Sequence, residues 1–347
     1  MTESSVQKTA RIQDVAKAAG VSTATVSRAL SKPDLLSETT REAVFAAIRA
    51  TGYRVNRAAR NLRTQRAGAV LVLVPNLGNP FFSRILSGLS EGFADSEYSV
   101  LILDTNHIGA GHRGLVDYFL DGRVDGMVSL DGGVPAEAIG LFAQNGMLNR
   151  IVCACEWIAG ADLPSVRSDN HHGAQLAIRH LHALGHRNIA HVTGPEDNVL
   201  THERRNGMLE ERARLSLPAR PEWVIRGDFS LASGQEAAAR IAAMDDRPTA
   251  VFCASDEVAF GLISGLTQRG ISVPGDISVV GFDDIELAAH FIPGLTTVRQ
   301  DRRGLGLAAA AMLLERLTDG ADAAPRATIR TLDMQMVERA STAPPRA

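Results

Sequence analysis

Apolar positions in the first fifty residues recur with helical spacing, and turn residues interrupt them twice. The segment Ile12–Ala19 places its isoleucine, valine and alanine side chains on one helical face, and Gly20 then ends the pattern. Ser22 is a suitable N-cap for a second helix over about Thr23–Leu30, and a third helix is predicted over Glu38–Thr51. Three short helices, the first two joined by a tight glycine-containing turn, are typical of a helix-turn-helix unit.

From Ala69 onward the pattern changes to short apolar strands that alternate with amphipathic helices. The alternation predicts parallel sheets wrapped in helices, and a segment of about 270 residues exceeds one comfortable core, so we expect two α/β lobes with a cleft between them. Ligands of such folds bind beyond the carboxyl ends of the strands. The predicted strands are Ala69–Val74, Ser99–Asp104, Gly126–Leu130, Ile151–Cys155, Val166–Asp169, Ile189–Thr193, Val224–Asp228, Thr249–Ala254 and Ile277–Phe282.

The charge of the chain is divided unevenly between its two parts. Residues Met1–Arg66 hold 12 lysine and arginine residues against 5 acidic ones, whereas the remainder holds 24 against 34. A basic module of this kind indicates a polyanion as its partner.

The first residues lack the apolar run of a secretory signal, and no apolar stretch reaches the roughly 18 residues of a membrane span, so we expect a cytoplasmic protein without a membrane partner. The three cysteines lie in strand-like runs and suit core packing, and no metal or cofactor is expected.

The second predicted helix carries the candidate base contacts, because in a helix-turn-helix this helix enters the major groove. Its first residues, Thr23 and Ala24, are small enough for close approach, and Ala24 suits a thymine methyl group. The planar fork of Arg28 can pair with O6 and N7 of guanine. A purely structural helical corner is the alternative, which the basic charge and the tight turn disfavour. Phosphate contacts are expected from Ser22, Thr25, Ser27 and Asn56.

Two segments of the basic module, IQDVAKAAGVSTATVSRAL and TREAVFAAIRATGYRVNRAARNLR, resemble the DNA-binding head and hinge of the lactose-repressor (LacI-type) family of bacterial transcription regulators. The resemblance continues through VLVLVPNLGNPFFSRILSG, SDNHHGAQLAIRHL, RPTAVFCASDEVAFG and ISVPGDISVVGFDD. Within the family, the segments PNLGNPFFS and GPEDN are most similar to the cytidine-repressor branch, and the purine repressor is also similar. The resemblance implies an all-α helix-turn-helix head and a two-lobed α/β body of the periplasmic-binding-protein (type I) kind with parallel sheets.

The resemblance also implies the domain bounds and a hinge. It implies a DNA-binding domain over 1–54, a hinge helix over 55–66 and an effector-binding and dimerisation domain over 67–340. The implied lobes are 67–165 with 295–325, and 166–294 with 326–340. In this family two hinge helices fold on the operator and a leucine wedges into the minor groove, which here corresponds to Leu62. The hinge residues implied to accompany it at the DNA are Ala59, Arg60 and Arg63. A homodimer on a near-palindromic double-stranded operator follows.

Ligand candidates lie where the predicted strands end. The strand-end rule selects Phe81 and Phe82 after the first strand and Asp104 and Asn106 at the second. The resemblance to the purine repressor implies Trp157, which follows Glu156 after the fourth strand. Asp169 is either a ligand contact or a helix cap, and Gln300 at the crossover between the lobes is either a hinge residue or a contact. The resemblance adds Arg204, Phe229, Asp256 and Asp283, of which Arg204 can donate paired hydrogen bonds to hydroxyls or a carboxylate.

Enzymes and solute-binding proteins are the competing classes. The chain has no glycine-rich phosphate loop and no Gly-x-Ser-x-Gly motif, so we expect no enzyme, and only His182 with His186 has spacing that zinc could use. A solute-binding protein of the uptake type remains the alternative, because the body resembles one, although the basic head and the absent signal argue against it. The expected effector is a nucleoside or a sugar, and we expect it to induce rather than to co-repress.

Overall fold

The computed structural model describes residues 10–54, 66–107, 114–318 and 328–346. The chain divides into two compact units, Met1–Arg66 and Ala67–Ala347. The division falls at the end of the implied hinge, of which all residues but Arg66 lie outside the described part of the chain.

The first unit contains the three predicted helices. They are α1 (Ile12–Ala19), α2 (Thr23–Ser31) and α3 (Glu38–Thr51). Gly20 ends α1 with a left-handed φ of 65°, a conformation that glycine adopts without steric cost. The Ser22 hydroxyl then caps α2 by accepting a hydrogen bond from the Thr25 amide at 3.1 Å. The fully buried side chains that these helices share are Val15, Val26, Ala29 and Val44.

The second unit is built on two six-stranded sheets. The first sheet contains β1 (Ala69–Val74), β2 (Ser99–Asp104), β3 (Gly126–Ser129), β4 (Ile151–Ala154), β5 (Ser165–Ser168) and β11 (Ile329–Leu332). The second contains β6 (Ile189–Val192), β7 (Val224–Ile225), β8 (Ala250–Cys253), β9 (Ser278–Asp283), β10 (Thr296–Gln300) and β12 (Met334–Val337). The strand orders are β11-β5-β4-β3-β1-β2 and β12-β10-β9-β8-β6-β7. All of these pairs are parallel except β10 with β12, so the predicted fold class is confirmed.

Helices flank both sheets. They are α4 (Phe81–Phe93), α5 (Asp117–Leu120), α6 (Ala136–Gln144), α7 (Asn170–Ala183), α8 (Val199–Arg214), α9 (Leu231–Ala242), α10 (Asp256–Thr267), α11 (Glu286–His290) and α12 (Arg302–Thr318). Helices α4 and α12 cross at glycines, since a Cβ on Gly88 would overlap the Arg303 carbonyl and one on Gly306 the Ile85 carbonyl. Within the described ranges, no helix is long and apolar enough to cross a lipid bilayer.

Sheet membership differs from the implied lobe bounds at three strands. We call the part built on the first sheet the first lobe, and the part built on the second sheet the second lobe. Strands β5 and β11 pair with each other in the first sheet, and β10 pairs with β9 in the second. The implied bounds had placed most of β5 and all of β11 in the second lobe, and β10 in the first. The reason is that an apolar pattern identifies a strand without identifying which of two sheets it joins.

The last described residues, 338–346, pack against the second lobe. Ser341 is fully buried, and its carbonyl accepts a hydrogen bond from the Val279 amide at 2.8 Å. The Ala343 amide donates to the Ser278 hydroxyl at 3.0 Å. The last described residues thereby add hydrogen bonds to the first residues of β9, which is an interior strand of the second sheet.

Candidate functional site

The exposed face of α2 carries the residues predicted to read DNA. Thr23, Ala24 and Arg28 are exposed, and together with Ser27 they line a shallow surface depression that also includes Lys32. The Ser22 and Thr25 hydroxyls lie 2.9 Å apart at the start of the helix. A basic and polar face with small side chains at its N-terminal end has the chemistry that major-groove contact requires. The structure thus places the six described candidates on one short segment, 22–28.

The remaining DNA candidates are in the hinge. Asn56, Ala59, Arg60, Leu62 and Arg63 lie outside the described residues. Their contribution to DNA binding, including the leucine wedge, stays a prediction.

A cavity of about 440 Å³ opens between the two lobes at the carboxyl ends of their strands. We call it the inter-lobe cavity. The first lobe contributes Pro75, Asn76, Asn79, Phe81, Phe82, Asn106, Asp131, Gly132, Gly133 and Glu156. The second lobe contributes Pro195, Asp197, Asn198, Val199, Leu200, Arg204, Asp228, Phe229, Ser230, Ser255, Glu257 and Asp283. Because both sheets direct the carboxyl ends of their parallel strands at this space, the strand-end rule locates the cavity.

Among the described residues, Arg204 is the only basic one that lines the inter-lobe cavity. It projects from α8, it is 2% exposed, and its Nε donates to Asn170 Oδ1 at 2.8 Å. One guanidinium nitrogen donates to the Ala254 carbonyl oxygen, and another lies 3.6 Å from Asp283 Oδ1. The guanidinium carbon also stacks 3.9 Å from the centroid of the Phe282 ring. These contacts hold the charge in one orientation at the base of the cavity.

Asp283, at the end of β9, is the acidic partner of Arg204. Burial raises the pKa of this carboxyl to about 6, although the Arg204 charge and a hydrogen bond from Gln300 oppose the rise. The Gln300 amide nitrogen donates to Asp283 Oδ1 at 2.7 Å, and its own Oε1 is buried without a partner among the described residues. Gln300 therefore positions the aspartate, while Asp283 itself faces the cavity.

A hydrogen bond links the two lobes across the cavity. Glu156 follows β4 in the first lobe, and its Oε1 accepts from Asn198 Nδ2 at 2.8 Å. Its other oxygen accepts from the Gly132 amide at 2.9 Å. Asn198 also caps α8, because its Oδ1 accepts from the Leu200 amide at 2.8 Å. Any change in the separation of the lobes must alter this bond.

Phenylalanines from both lobes supply apolar surface in the cavity. Phe81 and Phe82 open α4 in the first lobe, with ring centroids 5.1 Å apart in an edge-to-face arrangement. Phe229 comes from the second lobe and has a φ of 68°, which is a strained conformation for a bulky residue. Its ring packs against Gly194, where a Cβ would overlap it. These aromatic faces can thus enclose a flat or ring-shaped ligand.

Four predicted ligand contacts do not line the inter-lobe cavity. Asp104 accepts hydrogen bonds from the Leu77 and Asn106 amides and so shapes two neighbouring loops. The Trp157 ring lies under the Arg167 guanidinium at 4.0 Å, and the adjacent Glu156 faces the cavity instead. For Asp169 the helix-cap alternative fits, because its Oδ1 accepts from the His172 amide at 2.9 Å. Asp256 is fully buried and accepts from the Thr297 hydroxyl at 2.5 Å.

Several cavity residues were not predicted from the sequence. Glu257 directly follows the buried Asp256 in the first turn of α10, and the sequence carried no local signal that would separate the two. The asparagines resembled turn and cap residues, which concealed their position at the cavity. The unpredicted polar and charged side chains at the cavity are Asn76, Asn79, Asp131, Asp197, Asn198, Asp228, Ser230, Ser255 and Glu257.

The buried histidine His186 of the second lobe has structural partners. It is 1% exposed, its Nδ1 lies 2.9 Å from the Thr249 hydroxyl, and its Nε2 lies 2.9 Å from the Ala343 carbonyl oxygen. Burial lowers the pKa of His186, so the neutral ring is favoured. Across the described ranges, no three histidine, cysteine, aspartate or glutamate side chains cluster closely enough to hold a metal ion.

Comparison with known proteins identifies the family. A family model described as "Bacterial regulatory proteins, lacI family" matches residues 11–56, and one described as "Periplasmic binding protein-like domain" matches 178–342. The HTH-type transcriptional repressor CytR of Escherichia coli (strain K12) is 35% identical over 333 residues, which are 96% of each chain. The chain belongs to the LacI family of bacterial regulatory proteins. The resemblance noted in the sequence is thereby confirmed.

Two further LacI-family relatives extend the comparison. The HTH-type transcriptional repressor PurR of Photobacterium profundum is 34% identical over 311 residues, 89% of this chain and 92% of PurR. A crystal structure of the lac repressor dimer bound to operator and the anti-inducer ONPF matches with a TM-score of 0.81 and 29% identity, over 97% of this chain and 100% of the other. This LacI-family chain is accordingly a DNA-binding transcriptional regulator with a helix-turn-helix head and a periplasmic-binding-like body.

Proposed function

We propose that this chain is a transcriptional repressor that binds a near-palindromic operator as a homodimer and responds to a small nucleoside or sugar in the inter-lobe cavity. The observation that carries the proposal is the combination of two features in one chain. They are the exposed basic and polar face of α2 in the first unit and the polar and aromatic inter-lobe cavity in the second. A solute-binding protein needs the second feature but has no use for the first.

The proposed DNA contacts divide by chemistry. Arg28, Thr23 and Ala24 would read base edges, because a guanidinium fork matches guanine and a small side chain permits close approach. Ser22, Thr25 and Ser27 would hold phosphates and set the register. Two copies would read two half-sites, so the operator should have approximate two-fold symmetry. The hinge residue Leu62 would wedge into the minor groove at the centre.

The proposed ligand contacts are of two kinds: polar side chains that would hydrogen-bond the ligand, and aromatic rings that would pack against its apolar faces. Arg204 and Asp283 supply a fixed donor and acceptor for vicinal hydroxyls, and Asn106 adds an amide. Phe81, Phe82 and Phe229 would enclose the flat face of a base or of a sugar ring. The related lac repressor was crystallised with the anti-inducer ONPF and operator together, which supports a ligand as the controlling element here.

Control would follow from the relative position of the lobes. A ligand that contacts both lobes favours one arrangement over the other in proportion to its difference in affinity. The Glu156–Asn198 hydrogen bond is one contact between the lobes that such a change would make or break. We expect ligand binding to release DNA, so that the effector induces transcription.

The proposal is tested by selecting DNA from a random pool with the full-length protein and titrating the selected sequence in a mobility-shift assay. We expect a palindromic consensus, a complex with two protomers for each site, and weaker binding when cytidine or ribose is present at millimolar concentration. Selection of no consensus would contradict the repressor function. A consensus with binding that no nucleoside or sugar alters would contradict the ligand control alone.

A further inference from the structure

The inter-lobe cavity has a strongly acidic lining. Among the described residues, six carboxyl side chains face it against the single guanidinium of Arg204. Two of its donors are engaged by Asn170 Oδ1 and the Ala254 carbonyl, and a third nitrogen lies 3.6 Å from Asp283 Oδ1, so its charge is already partly balanced within the protein. The acidic residues are Asp131, Glu156, Asp197, Asp228, Glu257 and Asp283. An anionic ligand would therefore meet like charges with little compensation.

Helix N-termini are the opposing influence, because they attract anions with about half a positive charge each. Helices α4, α8, α9 and α10 all begin at the cavity. In each case, however, a side chain of the protein already accepts a hydrogen bond from an amide of the first turn. The capping residues are Asn79, Asn198, Ser230 and Ser255. The amides that would cradle a phosphate are thus partly occupied, and the carboxylates outweigh the helix dipoles.

Glu257 is the one half-buried carboxylate at the cavity for which the described residues provide no hydrogen bond or ion pair. It lies in the first turn of α10, beside the buried Asp256, and faces the same cavity as Asp283. Burial and the nearby Asp283 both raise the pKa of its side chain. A carboxylate of this kind can accept hydrogen bonds from hydroxyl or amine groups of a ligand. Its negative charge repels a phosphate group.

We propose that the inter-lobe cavity selects unphosphorylated, donor-rich ligands over their phosphate esters, and that Glu257 is the residue that contributes most to this discrimination. The inference rests on the proposed function and narrows it, since it admits nucleosides and free sugars and excludes nucleotides and sugar phosphates. The free carboxylate accepts a hydrogen bond from the ligand, and it repels a phosphate that would enter the same space.

The test is calorimetric titration of the full-length protein at neutral pH with two pairs of probes. They are cytidine with cytidine 5′-monophosphate, and ribose with ribose 5-phosphate. In any pair that binds, we expect the unphosphorylated member to bind at least about tenfold more tightly. In Glu257→Gln, which keeps the shape of the side chain and removes its charge, that ratio should fall about tenfold. Glu236→Gln, an exposed change on α9 with the same loss of charge, should leave the ratio unchanged.

Each result decides one part of the inference. A phosphate ester that binds as tightly as its parent overturns the selectivity while leaving ligand control intact. If Glu257→Gln and the unaltered protein have equal melting temperatures and the same ratio of affinities for the two members of a pair, Glu257 does not contribute to the discrimination. If neither member of either pair binds, the proposed nucleoside or sugar response and this inference fail together.

Discussion

Asp283 combines two properties that rarely coincide in one carboxyl group. It is nearly inaccessible to solvent, yet it faces a cavity and lies 3.6 Å from the charge of Arg204. Burial raises its pKa to about 6, and Arg204 prevents a larger rise. Its protonation therefore changes within a pH range that experiments can reach without denaturing most proteins.

Ligand affinity should weaken as the pH falls from 7 to 5, by up to about tenfold for each pH unit below the pKa of Asp283. Protonation removes the negative charge that strengthens the hydrogen bond accepted from a ligand hydroxyl. Titrations at several pH values measure this, and Asp283→Asn should bind weakly with little dependence on pH. Affinity that stays constant down to pH 5 would contradict a direct contact.

Loss of affinity by this route is distinguishable from unfolding. The folded pKa of Asp283 is raised above its unfolded value, so the folded state binds more protons between about pH 4 and 6. This group alone then makes the free energy of unfolding larger as the pH falls through that range. Its contributions to stability and to ligand affinity therefore change in opposite directions.

One face of helix α2 is buried in the core of the first unit, and the other is exposed. Val26 and Ala29 are fully buried and hold the helix in the head, whereas Arg28 between them in sequence is exposed. A change at the exposed face should consequently alter DNA recognition without altering the fold.

Arg28→Ala should weaken binding to the selected operator by about 1–3 kcal/mol while leaving salt-sensitive binding to random DNA largely intact. The reason is that a bidentate contact to guanine distinguishes bases, whereas phosphate contacts do not. Anisotropy titrations with both DNAs measure the difference. The matched control is Arg49→Ala, which removes the same charge from the exposed face of α3. An equal loss in both variants would assign Arg28 to general electrostatics.

The C-terminal segment is hydrogen-bonded to the first residues of the interior strands β9 and β10 of the second sheet. Ser341→Ala should lower the free energy of unfolding by about 1–3 kcal/mol, because the Ser341 hydroxyl accepts from the Thr296 amide and donates to the Val279 carbonyl in a buried site. Urea denaturation measures the change. Ser87→Ala, at an exposed serine on α4, should remain within about 0.5 kcal/mol of the unaltered protein. Equal stability of both variants would show that the segment is not held by Ser341.

Local sequence patterns predicted the bounds of single helices and strands better than they predicted how these pack into sheets and lobes. The uninterrupted apolar run of β1 and the capped helix α3 have the bounds that the sequence predicts, because periodicity and caps are local signals. Strands β10, β11 and β12 were not predicted; β11 and β12 are short and partly exposed at sheet edges, whereas β10 is an interior strand. At the cavity, Arg204 followed from the resemblance, whereas Asn198 was not predicted. Its bond to Glu156 depends on how two lobes meet, which no local pattern contains.

The separation of charge between the two units has a consequence for regulation. Residues Met1–Arg66 carry a net positive charge, with 12 basic against 5 acidic side chains, and the remainder carries a net negative charge. A body that is acidic overall is repelled by DNA, so that affinity for the operator depends on the head. Control through the cavity is then not masked by non-specific adhesion of the body.

Removal of residues 1–66 should therefore abolish DNA binding and leave ligand binding unchanged. Residues Ala67–Ala347 form a compact unit with its own core, and the inter-lobe cavity lies entirely within it. Mobility-shift assays and calorimetry with cytidine and ribose on the truncated and full-length proteins measure the two activities separately. The expected result is an equal ligand dissociation constant in both proteins when DNA is absent. Residual operator binding by the truncated protein would show that the body itself contacts DNA, and loss of ligand binding would show that the cavity depends on the head.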